Sequence, residues 1–197
     1  MTHCREQPRK TAPYCRGAIA TPPSCHPSIA IPPMNTPARI AMRHHVEPED
    51  RDRVRRIVES TAMFRPDEVG VAVELVDERL AKGEASGYHF AFAERAGEVA
   101  GYACFGPIAC TIASFDLYWI AVAPDLQGRG LGRRLVEEAE RQIRALGGQR
   151  VYIDTSGRPQ YEPTRRFYER CGYAVQAVLP EFYAPGDDRV IFFKRLG

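Results

Sequence analysis

From Arg39 onward the chain switches repeatedly between two hydrophobic periods. Arg39-Ile40-Ala41-Met42-Arg43 reads as a short strand. Pro48, with Glu47, Glu49 and Asp50 around it, opens a helix: proline suits the first turn, and carboxylates suit its positive dipole end. Val54, Ile57 and Val58 give that helix one apolar face. A second helix begins at Pro66-Asp67-Glu68, carries the stripe Val69, Ala72, Val73, Val76 and Leu80, and can end at Gly83. The period then falls to two. Tyr88 to Glu94 alternates, Ala96-Gly97 turns, and Glu98 to Phe105 continues as the second arm of a hairpin that Pro107 stops. Leu117 to Val122 is apolar almost throughout, the pattern of a strand covered on both faces. After a glycine-rich turn a long helix directs Leu131, Leu135, Ala139, Ile143 and Leu146 inward. Arg150 to Thr155 is a strand, Pro163 to Cys171 a short helix stopped by Gly172, and Tyr173 to Val178 and Val190 to Lys194 are the last strands. The order β-αα-βββ-α-β-α-ββ predicts an α/β domain built on a mixed sheet.

Residues 1–38 break this regularity. They hold eight of the sixteen prolines and show no period. Such a segment buries too little apolar surface to offset its ordering entropy, so a disordered Pro-rich tail is expected, followed by one folded domain over residues 39–197. The tail lacks the apolar core of a signal peptide. Met34 and Met42 are candidate later starts, and an organelle transit peptide is the alternative reading of the tail. Charge divides the same way: residues 1–46 carry a net +5, which leaves −3 for the remainder of a chain with net +2. A mildly acidic body argues against nucleic-acid partners. No apolar run reaches the roughly 18 residues of a membrane span, so no membrane partner is expected either.

Six cysteines include no C-x-x-C pair, and neither Cys25-His26 nor His44-His45 has a second ligand pair at usable spacing. No metal and a reduced, cytoplasmic setting are therefore the expectation. Cys104, Cys110 and Cys171 read as small buried hydrophobes.

The candidate chemistry lies at Gln127-Gly128-Arg129-Gly130-Leu131-Gly132, directly after the apolar strand and directly before the long helix. A helix start offers free backbone N–H groups and a positive dipole, and glycines let a pyrophosphate approach. No Gly-Lys-Ser/Thr follows, and the glycine spacing does not fit a dinucleotide fingerprint. The run Gln-x-x-Gly-x-Gly resembles the acetyl-CoA signature of the GNAT acetyltransferases. Phe167-Tyr168-Glu169-Arg170-Cys171-Gly172-Tyr173 resembles that family's second hallmark. The resemblance covers about residues 39–197. It implies a mixed, mostly antiparallel sheet of about seven strands flanked by four helices, and transfer of acetyl from acetyl-CoA, as cosubstrate, to a primary amine. It also implies that the backbone of Ile120, Ala121 and Val122 holds the pantetheine arm in a gap between splayed strands. Gln127, Gly128, Arg129, Gly130, Leu131, Gly132 and Arg133 would then surround the pyrophosphate.

By the same resemblance Tyr168 is the proton donor to the departing thiolate, a leaving group with pKa near 8.5 that a hydroxyl donor improves. Asp116 either takes the proton of the amine, directly or through water, or only orients the ammonium, and strand alternation would put it on one face with Tyr118 and Ile120. Asp154 is a weaker candidate base. The chain departs from the family at Tyr161, where many members have asparagine, and at Thr164, where alanine is common. The first two helices, the loop Pro107 to Ser114 and the loop around Tyr183 would set acceptor specificity, with Phe64, Tyr118, Tyr161, Phe182 and Tyr183 as mouth residues. The acceptor is open among small molecules, amino acids and peptides, and a homodimer is open too. The competing reading is a GNAT-fold sensor or interaction module that binds acyl-CoA without turnover.

Overall fold

The computed structural model describes residues 39–197, so the expected tail, 1–38, lies outside the described residues. Among these described residues seven strands form one sheet, β1 (Ile40–Arg43), β2 (His89–Arg95), β3 (Glu98–Pro107), β4 (Ser114–Val122), β5 (Arg150–Ser156), β6 (Ala174–Ala184) and β7 (Asp187–Arg195). Four α-helices accompany them: α1 (Asp50–Ser60), α2 (Pro66–Lys82), α3 (Leu131–Ala145) and α4 (Glu162–Arg170). The spatial order is β1-β2-β3-β4-β5-β7-β6. Every pair is antiparallel except β4 with β5.

Alternation along β2 and β3 sorts side chains by size. Ala91, Ala93 and Ala103 face the core that holds Leu131, Leu135 and Ile143 of α3, whereas Phe90, Phe92, Tyr102 and Cys104 face the core that holds Val54, Val58 and Val76 of α1 and α2. Small residues thus lie on the α3 side and bulky ones on the α1–α2 side, with Phe105 of β3 the exception. Two stripes end sooner than expected. Leu80 is 37% exposed and Leu146 is 49% exposed, because each lies in or beyond the last turn, where the helix has run past the sheet. Cys110 is also exposed, in the loop before β4, while Cys104 is buried. Residues 182–184 extend β6 rather than forming a loop, and the connection to β7 is a tight turn at Gly186, where φ is +76°.

Two polar networks fix the framework, and neither has a sequence signature. Asp50 is fully buried at the start of α1, and Arg43 of β1 forks onto both of its oxygens at 2.8 Å. Burial alone would raise the Asp50 carboxyl, but hydrogen bonds from Arg43, Arg53 and the Glu47 N–H outweigh it and hold the group below its usual value. On the other face, Glu140 of α3 accepts from Lys194 of β7 at 2.7 Å and from the Tyr173 hydroxyl at 3.0 Å. Lys194 also donates to the Cys171 carbonyl at 2.8 Å, which ties the end of α4 to the sheet. Lys194→Met should leave the buried Glu140 carboxylate with only the longer 3.7 Å pairing to Arg144 and cost about 3 kcal/mol in urea unfolding. Adding Glu140→Leu should recover most of that loss. Equal stability of the single variant and the wild type would mean the network contributes nothing.

Candidate active site

β4 and β5 start as neighbours and then part. Only Ser114, Phe115 and Asp116 pair with Arg150, Val151 and Tyr152. The cause lies in β4 itself. Cys104 opposes Trp119 and Phe105 opposes Leu117, so Tyr118 is an extra residue, a β-bulge that bends the strand away from β5. The bulge also inverts the alternation. Phe115 and Leu117 point into the α3 core, but Trp119 and Ala121 pack on the α1–α2 side, and Ile120 and Val122 take over the α3 side. Asp116 therefore does not share a face with Ile120 as strict alternation predicts. It shares one with Trp119 and Ala121.

The splayed strands frame a cleft of about 870 Å³. Ala123 donates its N–H to Ala100 of β3, so by alternation the backbone of Ala121 also turns toward β3 and that of Ile120 and Val122 toward the gap. One of those groups is already used: the Gln127 side-chain amide donates to the Val122 carbonyl at 3.0 Å. Gln127 thus folds the turn back on the strand that precedes it. Gly128 and Gly130 hold φ of +71° and +81°, and a Cβ built at either meets nothing within 4 Å. Glycine is needed there for the left-handed backbone, with open space beyond it. Gly132 answers to a different demand, since a Cβ there would stand 3.3 Å from the Phe167 ring, where α3 crosses α4. The first intrahelical bond of α3 runs from Arg134 to Gly130, which leaves the N–H groups of Leu131, Gly132 and Arg133 pointing out of the helix start.

Of the residues expected at the site, Ile120, Ala121, Val122, Gln127, Gly128, Gly130, Gly132, Arg133 and Tyr168 line the cleft. Leu131 sends its side chain into the core, and the side chain of Arg129 is exposed on the turn. Arg133 forms an ion pair with Glu137 at 2.9 Å. Phe64, Tyr118, Tyr161 and Tyr183 line the mouth; Phe182 does not, and instead lies under the Arg189 guanidinium at 4.8 Å. Residues 108–113 line no part of it, because that loop precedes β4 and the cleft opens beyond its far end. Tyr161 donates to the Met63 carbonyl at 3.0 Å, a bridge between the α1–α2 loop and the β5–α4 loop that spans 98 residues of sequence. Arg158 sits over the Tyr161 ring and pairs with the buried Asp187 at 3.1 Å, and Asp187 accepts from Ser156. Sequence reasoning missed Arg158, Ser156 and Asp187, whose partners lie far apart along the chain.

Tyr168 is 5% exposed, among Phe167, Tyr173 and Phe192. Burial pushes its hydroxyl well above the usual value, so it keeps its proton at any working pH. Asp116 stands at the apex of the fork, one step behind the cleft lining, which starts on β4 at Tyr118. Burial first and the neighbouring Asp154 carboxylate second raise Asp116 to about 6, against a smaller opposing pull from Arg189. Since its folded value lies above the unfolded 3.8, ionisation weakens the fold as pH rises between the two. Asp116→Asn should therefore raise the melting temperature at about pH 7.5 and leave it unchanged near pH 4. A rise of equal size at both would refute the buried charge.

The model of the family described as "Acetyltransferase (GNAT) family" matches residues 54–173. A crystal structure of a GNAT-family protein from Desulfovibrio desulfuricans is 50% identical, with a TM-score of 0.79, over 81% of this chain and 100% of that one. Mycothiol acetyltransferase of Beutenbergia cavernae is 36% identical over 73 residues, 37% of this chain and only 24% of the relative. YncA of Salmonella typhimurium, solved with acetyl-CoA, shares the fold at 20% identity and a TM-score of 0.64, over 81% of this chain and 95% of that one.

Proposed function

The chain belongs to the GNAT acetyltransferase family, and on that premise we propose that it moves the acetyl group of acetyl-CoA onto a primary amine by direct attack, with residues 39–197 as the catalytic unit. The observation that carries this reading is the fork between β4 and β5: a bare strand edge leads from a helix start rich in free N–H groups to the Tyr168 hydroxyl. Acetyl-CoA supplies an activated acyl carbon that the amine attacks as the thiolate leaves. The α3 start, from Gly128 to Arg133, holds the pyrophosphate with backbone donors and a positive dipole. Ile120 pairs with the pantetheine amides through both backbone groups, and Val122 through its N–H.

Asp116 takes the proton of the ammonium through a water, because it stands behind the lining. A carboxylate near pKa 6 is mostly ionised at neutral pH and far more basic than an ordinary aspartate. Tyr168 supplies a proton to the sulfur as the C–S bond breaks, and the proton given up by the nitrogen restores the balance. The products are the amide and free coenzyme A thiol. No covalent enzyme intermediate is needed.

The test is thiol release from acetyl-CoA over a panel of primary amines. Release that depends on the amine supports the transferase. Calorimetric binding of acetyl-CoA with no release for any amine would favour the sensor.

A further inference from the structure

The two ends of the cleft treat their arginines differently. At the α3 end Arg170 lines the cleft with no carboxylate partner among the described residues, and Arg133 has only the exposed Glu137. Past Tyr168 the guanidiniums at the cleft each have a carboxylate partner, although the buried Nε of Arg189 has no hydrogen-bond partner among the described residues. Arg158 is paired with Asp187 at 3.1 Å, Arg65 with Asp67 at 3.1 Å and Glu68 at 3.8 Å, and Arg189 with Asp154. Asp116 beside them has no cationic partner among the described residues, so this end carries an excess of negative charge. Its remaining walls are aromatic: Phe64 and Trp119 as a tilted pair 4.9 Å apart, with Tyr118 and Tyr183.

We infer that the acceptor is a primary amine on an uncharged or cationic body, and that amines bearing a carboxylate, amino acids among them, are rejected; this rests on the acetyltransferase reading. A ligand carboxylate here would need a guanidinium, and each one it could recruit must first leave its own carboxylate. Asp187 is only 5% exposed, so taking Arg158 from it strands a buried charge. A ligand that recruits none meets Asp116, which Arg189 offsets only in part, and like charges there are costly. An alkyl chain or a second ammonium meets neither penalty. Aromatic faces accept the first by apolar contact and the second by cation–π attraction.

Three amines of one length isolate the effect, since pentylamine, 1,5-diaminopentane and 5-aminopentanoate differ only at the far end. With thiol release as the readout, kcat/KM for pentylamine should exceed that for 5-aminopentanoate by about 30-fold or more. The diamine should be at least as good as pentylamine. Asp154→Asn frees Arg189 and should shrink the pentylamine-to-aminopentanoate ratio by about tenfold. Arg189→Gln, which removes the cation instead, should widen it and so covers the case in which the first variant does not fold. An aminopentanoate rate within about threefold of pentylamine, or a ratio that neither variant moves, overturns the inference and leaves the acetyltransferase standing. Acetyl-CoA binding without release for all three amines removes the transferase reading and this inference with it.

Discussion

Turnover by Tyr168→Phe is expected to fall about 10²-fold, while acetyl-CoA affinity changes by less than about threefold. The separation of the two follows from where the side chain sits. Its ring is one of several packed against Phe167, Tyr173 and Phe192, and phenylalanine keeps all of those contacts. Only the hydroxyl is lost. That hydroxyl is a weak acid, made weaker by burial, so transfer to a thiolate of ordinary basicity would run uphill. The thiolate is expelled into the same dry cleft, however, and desolvation raises its basicity too. What Tyr168 supplies is a short-range donor that strengthens as the C–S bond breaks, an interaction absent from the ground state. Stopped-flow thiol release and calorimetry measure the two quantities separately. Full activity in this variant would remove the proton donor from the mechanism but leave the cofactor site intact.

Gly130→Glu should weaken acetyl-CoA binding by more than about 10²-fold. Two effects are superimposed and can be separated. Any L-residue at φ of +81° costs on the order of 1 kcal/mol, so Gly130→Ala should lower the melting temperature but cut affinity by less than about tenfold. The rest comes from a carboxylate that extends into open space at the start of α3, where the phosphates bind. Calorimetry on the two variants distinguishes them. Equal affinities for the glutamate variant and the wild type would exclude this turn as the pyrophosphate site.

The order of elements was legible because each depends on neighbours close in sequence. Proline starts, glycine stops and apolar periods located α2 at its true ends, Pro66 and Lys82. The glycine turn was legible for a similar reason, since a left-handed backbone is a local demand. The bulge at Tyr118 was not: nothing in Leu-Tyr-Trp-Ile announces an extra residue, yet that residue decides which face Asp116 shares. Gly132 looked like part of the phosphate turn, but its constraint comes from Phe167, thirty-five residues on. The Tyr161–Met63 bridge and the Arg43–Asp50 fork are likewise products of tertiary approach, where a hydroxyl or a guanidinium finds a partner that no spacing rule connects to it.

The position of β7 has a consequence for biosynthesis. The last strand of the chain is not at an edge but between β5 and β6, and Lys194 near its end completes the ties to Glu140 and Cys171. Before β7 is in place, β6 has no strand to pair with, Glu140 has only Arg144 at 3.7 Å, and the floor beneath Tyr168 lacks Phe192. The α1–α2 side of the sheet can assemble during translation, since β1 to β4 pair in order from the N-terminal edge. The half that carries Tyr168 must wait for β7. The strand Asp187–Arg195 therefore acts as the keystone of that half. Chains that stop before Val190 should keep α3 packed on β2 to β4 but leave α4 and β6 open to proteolysis, and restoring β7 should protect them.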